Sequence, residues 1–459
     1  MAGLVGLNNL GNTCYLNSIL QCLSNCENLK KYLLSDNFIK LLVYLKNKKN
    51  IDIKSLLIYQ FYRLIKKIWL SDNDELEPIS FKKLLGQKYS IFSNSDQNDS
   101  HEVLITLLSK FSEEINININ IESNICEFKN INIFLNCNEN EKLEYLQDIN
   151  NISTFSFINI KKLYNKEYSQ ISKLFGGFLL YEIICPKTNN ICYNLEAYNM
   201  LSIELDLEDK DDKDSDKDSD KDSDKEDKDS DKDSDKDSDK DSDKDSDKED
   251  KDSDKEDKDS FHFSIEDEFN IENEDFLDND SSDIDDDDTN SFNVINILNK
   301  YNKVNKVNKV NLFNCLDKFF SVEKLCDDNI WNSPFCNEKV NPNRKIYMWS
   351  APNILIIHLK RFNFINNFNK INNFIDFPLT NLDITRYIHK QNINNKKYLY
   401  DLICINNHIN FGMNNSGHYY SYCKNNNDWY EYNDNTVCKV NEDNIITNKA
   451  YILFYQLKN

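Results

Sequence analysis

Apolar residues recur at three- and four-residue intervals near the start of the chain. Leu16, Ile19, Leu20 and Leu23 fall on one stripe, and the stretch SHEVLITLLSKF at 100–111 repeats the pattern. Such spacing predicts helices over much of 14–115, each burying one face. From about 116 to 165 the chain is rich in Asn and Ile, and NININI alternates as a strand does, so periodicity leaves helix and strand both open. From 175 the pattern shortens to β-like runs: GGFLLYEIIC, AYNMLSIEL, RKIYMWS, NILIIHLKRF, YLYDLICINNHI, GHYYSYCK, DWYEY and AYILFYQL. A helix-rich front and a sheet-rich back predict an α+β protein with its cleft between the two halves.

One segment breaks this pattern. Residues 209–260 repeat Asp-Ser-Asp-Lys without a single apolar side chain, and 261–291 carry 13 acidic residues with no Lys or Arg. A tract that can bury nothing cannot offset the entropy of ordering, so 206–311 is expected to be a largely disordered, solvated insert. Loop closure grows costlier only slowly with length, and the flanks can belong to one domain. The insert also absorbs the formal charge of −23, leaving a nearly neutral remainder with no footprint for nucleic acid. The longest apolar runs are too short for a membrane span. Thirteen cysteines, an odd number, and no secretory pattern at the start lead to the expectation of a reduced, intracellular compartment, cytoplasm or nucleus.

The chemistry gathers around few residues. Cys14 opens the first predicted helix, where unpaired backbone N–H groups favour a thiolate. Asn12 or Thr13 can cap that helix, and Gly6 and Gly11 suit backbone geometry in which a side chain would clash. A nucleophilic thiol needs a base, and of the six histidines His418 has the most suggestive setting. It follows Ser416 and Gly417 and shares a strand face with Tyr420 and Tyr422. A hairpin turning between Asn426 and Asn427 sets Tyr420 against Asn433, on the face of His418. There a carboxamide can accept the imidazole Nδ1 proton. A slip of one residue presents Asp434 instead.

These residues resemble the ubiquitin-specific proteases, papain-like cysteine deubiquitinases. GLNNLGNTCYLNSILQCL is similar to the family's cysteine box and NNSGHYYSYCKNNNDWYEYNDNTV to its histidine box. QNDSHEVL, 97–104, resembles the intervening Gln-x-Asp-x-x-Glu box, and NILIIHLKRF, IDFPL and AYILFYQL follow in family order. The resemblance implies a hand-like fold: a helical thumb over 1–175, fingers from 176–205 and 312–349, and a palm over 350–459. It implies Cys14 as nucleophile, His418 as general base, Asn433 as third member with Asp434 in reserve, and Asn9 as an oxyanion donor. Asp99 and Glu102 match acids that meet the basic tail of ubiquitin. Ubiquitin and ubiquitinated proteins would be the partners of a monomeric enzyme without cofactor.

The pattern departs from the family at the fingers. Two Cys-x-x-Cys pairs would hold zinc there, but this chain reads CPKT and SPFC, with Thr188 and Ser333 where thiols belong. Cys185 and Cys336 alone fall short of the four ligands of a structural zinc, so no metal is expected.

Overall fold

The computed structural model describes residues 2–117, 131–205, 310–326, 329–363, 369–392, 396–410 and 417–458. The chain divides at the acidic insert, and the unit formed by 1–208 with 306–459 is described below. The acidic insert, together with Gly412 and Ser416 beside His418, lies outside the described residues.

Ten helices precede the first long strand among the described residues. They include α1 (Cys14–Ser24), α2 (Glu27–Leu33), α3 (Asp36–Asn47), α4 (Leu57–Leu70), α5 (Ile79–Lys88) and α6 (Ser100–Glu114). Of the Asn- and Ile-rich stretch that periodicity left open, NININI lies mostly outside the described residues, with Ile117 in an isolated bridge to Tyr168. The part from 131 is mainly helical: α7 (Ile131–Asn136), α8 (Glu139–Tyr145) and α9 (Ile152–Tyr164). Local signals explain this outcome. Asn138 and Glu141 close a capping box at the start of α8, and lysines occupy the last turns of α8 and α9. Helix α10 (Gln170–Phe175) closes the series.

Strands then dominate, and the long ones are β1 (Gly177–Ile184), β2 (Ile191–Tyr198), β3 (Leu201–Glu204), β4 (Asn343–Ser350), β5 (Ile354–Lys360), β6 (Leu399–Asn410), β7 (Gly417–Asn425), β8 (Asp428–Asn433), β9 (Thr436–Val440) and β10 (Ala450–Leu457). The finger sheet runs β2-β1-β4, extended by Glu323–Lys324. The palm sheet runs β9-β8-β7-β6-β10-β5-β3, with Leu382–Asp383 also paired to β6.

Two boundaries differ from the sequence expectation. Residues 201–204 join the palm rather than the fingers, because β3 pairs in parallel with β5 and buries Leu201 and Ile203 in the palm core. Helix α11 (Leu312–Phe319) sends Leu312, Cys315 and Leu316 into that same core. Val310–Asn311, assigned above to the insert, pairs with Ile375–Asp376. Burial of an apolar edge outweighs proximity in the chain to the finger strands.

The core has two large parts. The first gathers helices α1 to α6 against one face of the palm sheet, and the second lies on the opposite face under α11. A smaller cluster joins Ile152 of α9 to Phe178, Leu180 and Trp349 of the finger sheet.

Helix α1 sits in the middle, with all 11 of its residues buried. Its polar side chains therefore need partners inside the protein. Gln21 Nε2 donates to the Val5 carbonyl at 2.8 Å, and Asn17 Nδ2 donates to the Leu7 carbonyl at 3.0 Å. Asn406 of β6 bridges the layers, donating to Ser18 Oγ and accepting from Ser100 Oγ, each at 2.8 Å. These bonds fix the depth of α1 against the palm.

Candidate active site

Cys14 is the first residue of α1 and is 4% exposed. The expected caps are not used: Thr13 makes no side-chain bond to the helix, and Asn12 donates instead to the Ser95 carbonyl at 2.8 Å. Asn12 and Gly11 both adopt positive φ, at 54° and 91°, which makes the turn ahead of Cys14 tight. Asn9 organises that turn. Its Oδ1 accepts from Gly11 N–H at 3.1 Å and Thr13 N–H at 3.0 Å, which orients its amide NH2 away from the loop. No side chain then competes for the first N–H groups of α1, and this end of the helix is prepared for negative charge.

The palm brings the second group. The β7–β8 hairpin turns through Asn426 and Asn427, whose φ values of 50° and 73° match a two-residue turn of type I′. The pairs Asn425 with Asp428 and Ser421 with Tyr432 set the register the sequence suggested. Asn433 thereby reaches His418, and its Oδ1 lies 2.7 Å from His418 Nε2. The sequence reading placed this bond at Nδ1. It forms at Nε2, which leaves Nδ1 for the thiol.

Burial of the His418 imidazole disfavours its charge, but the hydrogen bond and charge of Cys14 outweigh it, with help from Asn433 and Asp434. Together they raise its pKa to about 9. The surroundings therefore favour the ring once it takes up the Cys14 proton at Nδ1, and Nε2–H donates to Asn433 Oδ1 before and after that transfer. Cys14 and His418 are neighbours although more than 400 residues separate them in the chain.

Asp434, the alternative to Asn433, takes another position. It occupies the β8–β9 turn at φ 48° and binds Asn9 Nδ2 at 2.9 Å and Asn17 Nδ2 at 2.8 Å. The Leu7 N–H also donates to its backbone carbonyl at 2.8 Å. The turn is thus tied to the segment ahead of Cys14. Gly6 is required at this contact, since a Cβ there would lie 2.1 Å from the Asn435 carbonyl oxygen.

Asp99 and Glu102, matched above to acids that meet the ubiquitin tail, take different settings. Asp99 is the N-cap of α6, accepting from His101 N–H at 2.8 Å. Tyr451 OH donates to both its oxygens, at 3.0 and 2.8 Å, and Tyr419 OH lies 3.4 Å from Oδ1. Glu102 stands exposed in the first turn of α6.

Several positioning groups escaped the sequence reading. Gln97 Oε1 accepts from the Gly417 N–H at 3.0 Å, holding the start of the His418 strand. Asn17 links the thiol helix to Asp434, and Tyr419 and Tyr451 anchor Asp99. Asn17 lies three residues after Cys14, one turn along α1, and that spacing was its only available signal.

Two thiol groupings bear on metal binding. At the fingers, Cys185 and Cys336 bring their sulfurs to 3.9 Å. Burial disfavours the Cys185 thiolate, but hydrogen bonds from Ser333 and Thr188 outweigh it and lower the pKa to about 6. The four zinc positions therefore converge, two of them with hydroxyls. Behind α1, the sulfurs of Cys22, Cys404 and Cys423 lie within 4.8 Å of one another, fully buried. Cys404 and Cys26 both donate to the Cys22 carbonyl there.

Together these observations describe a mixed helix-and-sheet protein with a buried thiol beside an imidazole at the junction of its layers. The family model described as ubiquitin carboxyl-terminal hydrolase matches residues 5–455. The chain belongs to this family and is a cysteine deubiquitinase. It is 23% identical over 530 residues to the probable ubiquitin carboxyl-terminal hydrolase R319 of Acanthamoeba polyphaga mimivirus, covering 99% of this chain and 90% of the viral protein. It is 40% identical over 148 residues to ubiquitin carboxyl-terminal hydrolase 9 of Arabidopsis thaliana, a match spanning 32% of this chain and 16% of the plant protein. Among solved structures, the fold is similar to a chain of the SAGA Ubp8/Sgf11/Sus1/Sgf73 DUB module bound to ubiquitin aldehyde. That likeness has a TM-score of 0.57 and 18% identity, and covers 100% of this chain and 70% of that one. No described helix is long and apolar enough to cross a membrane.

Proposed function

We propose that the chain hydrolyses the isopeptide or peptide bond at the C-terminal glycine of ubiquitin through a Cys14 thioester. The observation that carries this reading is the meeting of Cys14, His418 and Asn433 at the start of a fully buried helix. Cys14 passes its proton to His418 and attacks the glycine carbonyl carbon. Negative charge develops on the carbonyl oxygen, where the Cys14 N–H and the second Asn9 N–H stabilise it. His418 then protonates the departing lysine amine, leaving ubiquitin bound as a thioester. Water, activated by His418, attacks the thioester and releases ubiquitin as a carboxylate with the thiol restored.

Asn433 holds the imidazole in the orientation that presents Nδ1 to sulfur. Glu102 is free to meet the cationic tail of ubiquitin, and Asp99 Oδ2 retains room for a further donor beside Tyr451. Ubiquitinated proteins in the cytoplasm or nucleus are the corresponding substrates, acted on by a monomer. The test is hydrolysis of a ubiquitin C-terminal amide by the full chain. Release of ubiquitin with a free amine, lost in His418→Ala, is expected; equal turnover by His418→Ala removes the imidazole from the mechanism.

A further inference from the structure

The third member of the site is an asparagine, and a carboxamide has an ambiguity that a carboxylate lacks. Its two ends have nearly the same shape, yet only the oxygen can accept from an imidazolium N–H. Turned over, Asn433 would point an NH2 at the donating Nε2 and break the bond that orients the ring.

Glu431 lies where it can settle this choice. It precedes Asn433 by two residues on β8, so the pleat puts both side chains on one face of the palm sheet. The hairpin register pairs Glu431 with Tyr422, whose side chain shares that face with His418. Glu431 Oε1 is 3.5 Å from Asn433 Nδ2, while Asn433 Oδ1 is 2.7 Å from His418 Nε2. Burial raises the Glu431 pKa, opposed by hydrogen bonds from Asn433 and Tyr422 and by the charges of Lys449 and His418. An ionised carboxylate only accepts, so it welcomes the amide NH2 and repels the amide oxygen. A flipped Asn433 would meet a clash of donors on one side and of acceptors on the other.

We infer that Glu431 is a positioning residue that locks the Asn433 carboxamide with its oxygen toward His418. The inference rests on the assignment of Cys14, His418 and Asn433 proposed above. A consequence separates it from simple packing. Aspartate at 433 needs no such lock, and beside Glu431 it would set two carboxylates together in a partly buried place, where one must take a proton. Glu431 and Asn433 are therefore matched, and exchanging one alone should do more harm than exchanging both.

The experiment is hydrolysis of a ubiquitin C-terminal amide by the full-length wild type and by Glu431→Leu, Glu431→Gln, Asn433→Asp and the double variant Asn433→Asp with Glu431→Leu. Glu431→Leu is expected to lower kcat about tenfold with KM unchanged, the size of losing one hydrogen bond to a charged group. Glu431→Gln keeps an acceptor and should retain more activity than Glu431→Leu. Asn433→Asp alone should fall similarly, and the double variant should exceed both single variants. Urea unfolding of each variant separates a loss of kcat from a loss of fold, since the role of Glu431 requires the kcat changes at unchanged or corrected-for stability. A wild-type kcat in Glu431→Leu, or a double variant no better than Asn433→Asp, overturns the role of Glu431. An inactive wild type would instead remove the assignment on which it rests.

Discussion

His418 concentrates the electrostatics of the site. Its pKa of about 9 stands above the ordinary 6.5, because Cys14, Asn433 and Asp434 favour the charged ring more than burial disfavours it. A raised folded-state pKa contributes stability that is complete below pH 6.5 and is lost as pH rises through about 9. Hydrolysis should therefore decline on the alkaline side near pH 9, an apparent value belonging to the Cys14–His418 pair. Asn433→Ala, which removes one support of the imidazolium, should move that limb to lower pH in a kcat–pH profile. An unmoved limb would show that the carboxamide does not hold the ring. Asn9 acts at the same scale. Asn9→Ala should lower kcat by about 10²–10³-fold with little change in KM, the signature of a donor used only as charge develops. A rise in KM alone would place Asn9 in substrate binding.

Elements show where sequence reading works. The β7–β8 hairpin was legible because Asn426 and Asn427 favour positive φ and the alternation of His418, Tyr420 and Tyr422 fixes one face. Asn433 followed from that register. The uncapped start of α1 was not legible, since Asn9 reaches forward to the Gly11 and Thr13 N–H groups of the loop and neither Asn12 nor Thr13 caps the helix. Nor was the assignment of 201–204 and 312–319 to the palm, because which sheet an apolar edge joins is decided by distant strands. At the finger tips the converging Cys185, Thr188, Ser333 and Cys336 offer two thiols and two hydroxyls. The purified protein is expected to hold no stoichiometric zinc by elemental analysis, and Thr188→Cys with Ser333→Cys to bind one equivalent. Zinc in the wild type would show that hydroxyl or water ligands suffice.

At the scale of the molecule, the site depends on the two ends of the chain meeting. Leu7 N–H, Asn9 and Asn17 hold the turn at Asp434, and Gly6 permits the Asn435 backbone to come close. Gly6→Ala should cost about 1–3 kcal/mol in urea unfolding, as other overpacked contacts do, and lower kcat by displacing that turn. Unchanged stability would mean that the turn yields freely. The central claim is narrower: the sulfur that meets His418 is the one that attacks ubiquitin. It is tested most directly by treating the wild type and Cys14→Ala with ubiquitin carrying an electrophilic C-terminus, and weighing the products by intact mass spectrometry. The account predicts one covalent ubiquitin on the wild type and none on Cys14→Ala. An adduct that persists on Cys14→Ala at the wild-type rate would contradict it.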